Sequence, residues 1–177
     1  MASQLQPPTL LILIGPPGSG KTHFAHRFMA EHPNYLHINN DKVRKDYIPN
    51  ATYSPAERPI VYGKMHELTR EALANGQSVI FDGNLVTSDA RQQLFAECQP
   101  LAKTIVFVYF KAPTKLAIER ATTRTATDDG FYNVMPVDKA HAMHGKYEPL
   151  DPGLPHVTVD GQATYKEQMA SLLSYKR

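Results

Sequence analysis

The chain has 177 residues, 42% of them hydrophobic and 20% charged, which suits one globular domain with a proper core. A net charge of +2 admits nucleic acid as a partner without requiring it. The single cysteine, Cys98, excludes an internal disulfide and reads as a small buried hydrophobe.

In chain order, Met1 to Thr9 carries no basic leader pattern and, with Pro7-Pro8, reads as a mobile lead-in over residues 1–9. The apolar run Leu10–Ile14 reads as a strand. It is followed by Gly15-Pro16-Pro17-Gly18-Ser19-Gly20-Lys21-Thr22, the phosphate-binding pattern G-x-x-x-x-G-K-[ST], and then by a helix over 21–31. Glycines at 15, 18 and 20 let backbone N–H groups, Ser19's among them, converge on phosphate oxygens. The helix N-terminus adds orphan donors and the positive end of a dipole. Lys21 is placed to reach the β- and γ-phosphates, and the Thr22 hydroxyl to ligate Mg²⁺. The chain is therefore expected to bind ATP or GTP with Mg²⁺.

Further strands are expected at Tyr35–Ile38, Val79–Phe81, Thr104–Phe110 and His156–Val159, with helices at about 60–75, 88–98, 114–124, 137–144 and 163–174. Pro59 argues against an earlier start to the helix at 60, because it disfavours helical backbone at Arg58. Apolar strands alternating with helices indicate an α/β fold with a parallel sheet covered on both faces. The longest apolar runs fall far short of the roughly 20 residues a membrane span requires, so a cytoplasmic enzyme is expected.

Sites in such sheets lie at the carboxyl ends of the strands. Asp41, just after the second strand, is a candidate general base for an acceptor hydroxyl, although it also suits the N-cap of a short helix over Lys42–Tyr47. Arg44, one turn on, can hold an anionic acceptor or be a solvated surface arginine. Asp82 closes an apolar strand and is a candidate for Mg²⁺, through water, or for the acceptor. Asn84 can orient substrate or close a turn. Arg120 and Arg124 are i, i+4 on one helix, placed to neutralise charge on a transferring phosphoryl group or to form a plain basic face. The stretch Thr122–Asn133 reads as a mobile lid loop. His141 and His144 are i, i+3 but complete no zinc-site spacing.

The glycine-rich loop, Ile38-Asn39-Asn40-Asp41-Lys42-Val43-Arg44, Asp82-Gly83-Asn84-Leu85, Ala112-Pro113-Thr114 with Arg120 and Arg124, and Met135-Pro136-Val137-Asp138 together resemble a known family. It is the kinase domain of phage-type polynucleotide 5′-hydroxyl kinases, close to the zeta-toxin and chloramphenicol phosphotransferase kinases. The resemblance implies a three-layer P-loop fold, a five-stranded sheet of order 2-3-1-4-5, and one kinase domain over 10–177 with a helical lid at about 114–146. It implies ATP- and Mg²⁺-dependent transfer to a hydroxyl. In it, Asp41 is the base, Arg44 the contact to the acceptor's neighbouring phosphate and Asp82 a group fixing the acceptor end. Arg120 and Arg124 become lid arginines on the β- and γ-phosphates. The implied acceptor is the 5′ end of a nucleic acid. Gly83 stands where the phage enzyme has threonine, and zeta toxins use similar residues on a nucleotide sugar. A small-molecule or nucleotide-sugar kinase, and a slow nucleotide switch, are the competing expectations.

Overall fold

A computed structural model of the chain describes residues 5–123 and 134–175. The apolar run before the glycine-rich loop is strand β1 (Thr9–Ile14), and every residue in it is buried. Such a strand needs a layer on each side. Its alternating side chains provide the split: Leu10, Ile12 and Ile14 join one core cluster, Leu11 and Leu13 the other.

With β2 (Tyr35–Asn39), β3 (Ser78–Asp82), β4 (Thr104–Lys111) and β5 (His156–Asp160), β1 forms a parallel sheet of order β2-β3-β1-β4-β5, as expected. Helices α3 (Glu57–Ala74) and α4 (Ser88–Cys98) contribute Val61, Met65 and Leu94 to the first cluster. Helices α1 (Lys21–Glu31) and α7 (Tyr165–Leu173) contribute Phe24, Phe28 and Leu172 to the second. Each such fully buried side chain contributes roughly 1.5–3 kcal/mol. A third, smaller cluster joins α5 (Thr114–Thr123) to α6 (Val137–His144) through Ile118, Ala121 and Ala140. Among the described residues no helix is long and apolar enough to cross a membrane.

Four features depart from the sequence reading. Strands β2, β3, β4 and β5 run one residue further than expected from their apolar cores, so Asn39, Asp82, Lys111 and Asp160 are paired in the sheet. Helix α3 starts at Glu57, not 60, which puts Pro59 in its first turn. There its missing N–H has no intrahelical acceptor to lose, so proline is tolerated. The short helix α2 (Asn40–Tyr47) is capped by Asn39, whose side chain accepts from the Asp41 and Lys42 amides, not by Asp41. The described end of the lead-in is tied down. Leu5 packs on the second cluster, Gln6 N donates to Thr104 Oγ1 at 3.1 Å, and Pro8 O accepts from Lys103 N at 2.9 Å.

One buried cation fixes the site's far wall. Arg91 on α4 is 1% exposed and donates to four carbonyls: Leu85 and Val86 after β3, and Glu148 and Pro149 before β5. Arg91→Ala leaves those carbonyls without their donor and a void behind it. We expect about 3 kcal/mol of destabilisation. Urea denaturation should show a lower midpoint at unchanged slope, and a shift below about 0.5 kcal/mol would contradict this reading.

Candidate active site

The loop between β1 and α1 is shaped by its glycines. Gly18 has φ +80°, and a Cβ there would lie 1.9 Å from the Ala117 carbonyl oxygen, so only glycine lets α5 pack against the loop. Gly20 (φ +102°) precedes α1 and offers no side-chain cap, and the first turn of α1 carries no acidic residue. Helices α2, α4 and α7 are capped by Asn39, Thr87 and Thr164. With neither a side-chain cap nor an acidic residue in its first turn, α1 leaves its orphan N–H groups available to an anion. Lys21, 8% exposed, curls over the loop and donates to Gly15 O at 2.6 Å, Pro16 O at 3.0 Å and Ser19 Oγ at 3.4 Å. Thr22 lines the same cleft.

The ends of β2 and β3 lie side by side, Asn39 opposite Asp82. Asp82 is buried and its Oδ2 accepts from Asn39 Nδ2 at 3.0 Å and lies 3.3 Å from His37 Nε2. Burial pushes its carboxyl pKa up. The His37 bond and charge, the Lys21 ammonium and the Asn39 bond more than offset this, and it ends below the ordinary aspartate value. Asn39 therefore does two jobs, capping α2 with its oxygen and steadying Asp82 with its nitrogen. Asp41 follows in the first turn of α2, with Oδ1 accepting from Asn40 Nδ2 at 3.3 Å, and lines the cleft beside Lys21 and Thr22.

Arg44 also borders the cleft but is 7% exposed. Its Nη1 donates to Glu57 Oε2 at 2.7 Å, and the Tyr53 ring covers its guanidinium at 4.7 Å. Glu57 further accepts from Thr52 N and Oγ1, both at 2.7 Å, and from Tyr53 N at 3.1 Å. The Thr52 hydroxyl first, with the Thr52 amide and Arg44, outweighs desolvation and pulls the Glu57 pKa down to about 2. A depressed carboxyl stabilises the fold above its unfolded pKa and loses that contribution as pH falls through the folded value. Acid unfolding of the wild type should therefore steepen between about pH 4.5 and 2. Glu57→Gln should lose stability at neutral pH and show a flatter acid limb over that window. Equal slopes by circular dichroism would refute the assignment.

After β3, Asn84 is held on three sides. Its N donates to Tyr62 Oη at 2.7 Å, its Oδ1 accepts from Tyr147 Oη at 3.0 Å, and its carbonyl accepts from Arg58 Nη2 at 3.2 Å. Burial pushes the Tyr62 phenol up to about 12 and raises that of Tyr147 as well, so both hydroxyls stay protonated. At position 83 a Cβ would meet Phe81, Met65 and Tyr62 at 3.0–3.4 Å, so a threonine there would crowd this corner.

Arg120 faces the cleft from α5 and donates through Nη1 to Gly161 O at 3.1 Å. Gly161, just past β5, donates to Lys111 O and packs so closely that a Cβ would lie 2.1 Å from Ser19 O. Arg124 and most of the expected lid loop fall outside the described residues. Helix α6 reaches the glycine-rich loop directly, with His144 Nε2 at 3.1 Å from Pro17 O. The structure thus brings Lys21, Thr22, Asp41, Asp82, Asn84 and Arg120 to one cleft of about 1500 Å³. It commits Arg44 to an internal ion pair.

Sequence reasoning missed His37, Glu57, Arg58, Tyr62 and Tyr147. Each has a hydrogen-bond partner 13 to 63 residues away that local sequence does not show.

A family model described as an AAA domain matches residues 10–150. Among solved structures, the chain resembles an unliganded sugar kinase from Janibacter sp. HTCC2649 at 18% identity, covering 96% of this chain and 94% of that one, with a TM-score of 0.69. It resembles a chain of the Pnkp1/Rnl/Hen1 RNA repair complex at 23% identity and a TM-score of 0.66, covering 82% of this chain and only 46% of that longer one. Chaetomium thermophilum Kti12, solved in complex with ADP-AlF3, matches at 17% identity and a TM-score of 0.69 over 92% of this chain and 94% of that one. At these identities the likeness shows the fold alone, a P-loop domain built on a parallel five-stranded sheet.

Proposed function

The chain belongs to the AAA domain family matched over residues 10–150, and on that premise we propose that it is an ATP- or GTP-dependent, Mg²⁺-requiring kinase. Its acceptor is a hydroxyl, and the 5′-OH of a polynucleotide fits best. The observation that carries this reading is the Asp41 carboxylate in the same cleft as Lys21, Thr22 and Arg120. A nucleotide switch requires no carboxylate base for an acceptor hydroxyl.

In the reaction, Asp41 takes the proton of the acceptor hydroxyl as its oxygen bonds to the γ-phosphorus. The bond between that phosphorus and the β–γ bridging oxygen breaks, and nucleoside diphosphate leaves. Lys21 and Arg120, with Arg124 as the second lid arginine, stabilise the charge on the phosphates. Asp82 and Asn84 position the acceptor. The donor set also fits Mg²⁺: the Thr22 hydroxyl is a hard oxygen that would bind it, and the Asp82 carboxylate would reach it through water. No cluster of three or more His, Cys, Asp or Glu side chains forms a protein-only metal cage among the described residues. The ion would screen phosphate charge, its other ligands coming from nucleotide and water.

The likeness to the RNA repair chain supports the polynucleotide reading. The likeness to the sugar kinase, over nearly that protein's whole length, supports a small-molecule acceptor as the second reading. Transfer of labelled γ-phosphate from ATP and GTP to 5′-OH DNA and RNA oligonucleotides, run beside a panel of sugars and nucleotide sugars, separates them. Turnover on oligonucleotides is expected. Faster turnover on a panel member would replace that reading with the second.

A further inference from the structure

We propose that Arg58 is a cation that holds the acceptor's phosphate, so that the acceptor carries a phosphate group beside its reacting hydroxyl. The inference rests on the kinase reading for the word acceptor, but the anion site itself is argued from side chains.

Arg44 is occupied. Its Nη1 is paired with a carboxylate that also collects Thr52 and Tyr53, and the Tyr53 ring covers the guanidinium. Glu57 balances the charge of Arg44 within the fold, so Arg44 offers less net attraction to a ligand anion than an arginine without an acidic partner does.

Arg58 has the opposite environment. It is exposed and lines the cleft, and no described carboxylate pairs with it. Two contacts fix its direction without neutralising it: Nη2 donates to the Asn84 carbonyl at 3.2 Å, and the guanidinium lies 5.3 Å from the centre of the Tyr62 ring. Most of its five N–H donors remain for a ligand. Its position is also electrostatically disfavoured by its own helix, because it stands in the first turn of the 18-residue α3, where the dipole disfavours a cation. Helix stability therefore does not account for an arginine here.

The location matches an acceptor role. Asn84, which Arg58 grips, lies two residues beyond Asp82, and the Tyr62 hydroxyl and Tyr147 hold Asn84 from the other sides. Arg58 therefore stands on the wall formed by the β3 end, across the sheet edge from Arg120 and Gly161 beyond β4 and β5. A planar guanidinium with several open donors is suited to a phosphate, which it can grip through two parallel bonds. A neutral sugar hydroxyl would not require it.

The test measures anisotropy of a fluorescent 5′-OH oligonucleotide on the full chain across a salt series, with ATP binding and melting recorded in parallel. Arg58→Ala should weaken oligonucleotide binding about tenfold or more, the loss expected for a charge-assisted bond. It should also reduce the salt slope by about 0.7, one phosphate contact on a single strand. Arg58→Gln keeps the stem over Tyr62 and should lose nearly as much, whereas Arg58→Lys should keep the slope. Arg70→Ala, which removes an ion pair with Glu97 on α4, should change neither. Binding of both charge-removing variants within twofold of wild type, at unchanged slope, would overturn the proposal. So would a wild type that binds ATP but no oligonucleotide. Phosphoryl transfer is scored separately: binding through Arg58 without any transfer retires the kinase reading and leaves the anion site standing.

Discussion

Asp41→Ala is expected to lower turnover on the true acceptor by about 10²–10⁴-fold, the range a positioned general base supplies, while ATP affinity stays within about twofold of wild type. The structure makes this a clean substitution. Had Asp41 been the N-cap of α2, its removal would also loosen the helix by about 1 kcal/mol. The cap is Asn39, whose Oδ1 accepts from the Asp41 backbone amide, a group that alanine retains. Asn39 in turn holds Asp82, so the neighbouring acid keeps its partner as well. The variant should therefore melt close to the wild type, and the loss should fall on the chemical step. Single-turnover transfer from ATP, with nucleotide binding measured independently, reads both quantities. Transfer near the wild-type rate would remove Asp41 as the base. A large loss in ATP affinity would place the carboxylate on the donor side of the cleft.

The donor half of the site was legible from local sequence because its parts are contiguous. The apolar strand, the glycines, Lys21 and the helix that follows lie within residues 9–31, and their geometry follows from spacing alone. The sheet was legible because its central strands are apolar throughout. Their ends were less so, since Asn39, Asp82 and Lys111 are polar residues that pair in the sheet for the sake of the edge they form. The acceptor half was not legible. The spacing of Arg44 from Asp41 correctly put it at the cleft, but nothing local shows that Glu57 neutralises it. That pairing needs the turn at 48–56, where Asn50 and Tyr53 adopt positive φ, a conformation no residue pattern there announces. Pro59, read as a barrier to helix, is instead accommodated in the first turn, and that shift brings Glu57 and Arg58 onto α3. Arg91 was invisible for the same reason: its carbonyl partners on the β5 side lie 57 and 58 residues away.

Lys21→Ala is expected to lower turnover by about 10²–10³-fold, as when one preorganised donor is removed from a transition state, and to weaken ATP binding as well. Both halves follow from where the ammonium sits. It is nearly enclosed by the loop, bonded to Gly15 O and Pro16 O, so it is positioned before nucleotide arrives. Arginine is a poor replacement, because its wider planar fork does not fit a space that holds one ammonium between two carbonyls and Ser19 Oγ. The substitution has a second consequence at Asp82. Burial pushes that carboxyl up, and Lys21 is one of the charges that, after His37, brings it below its ordinary value. Without Lys21 the depression shrinks. A depressed carboxyl contributes stability above its unfolded pKa and loses it as pH falls through the folded one. The variant should therefore gain less from Asp82 at neutral pH, and lose it at a higher pH than the wild type does. Acid titration of stability followed by fluorescence should show that upward displacement in Lys21→Ala and its absence in Lys21→Ala/Asp82→Asn. Turnover within threefold of wild type, or an acid limb that does not move, would show that Lys21 supports neither the phosphates nor Asp82.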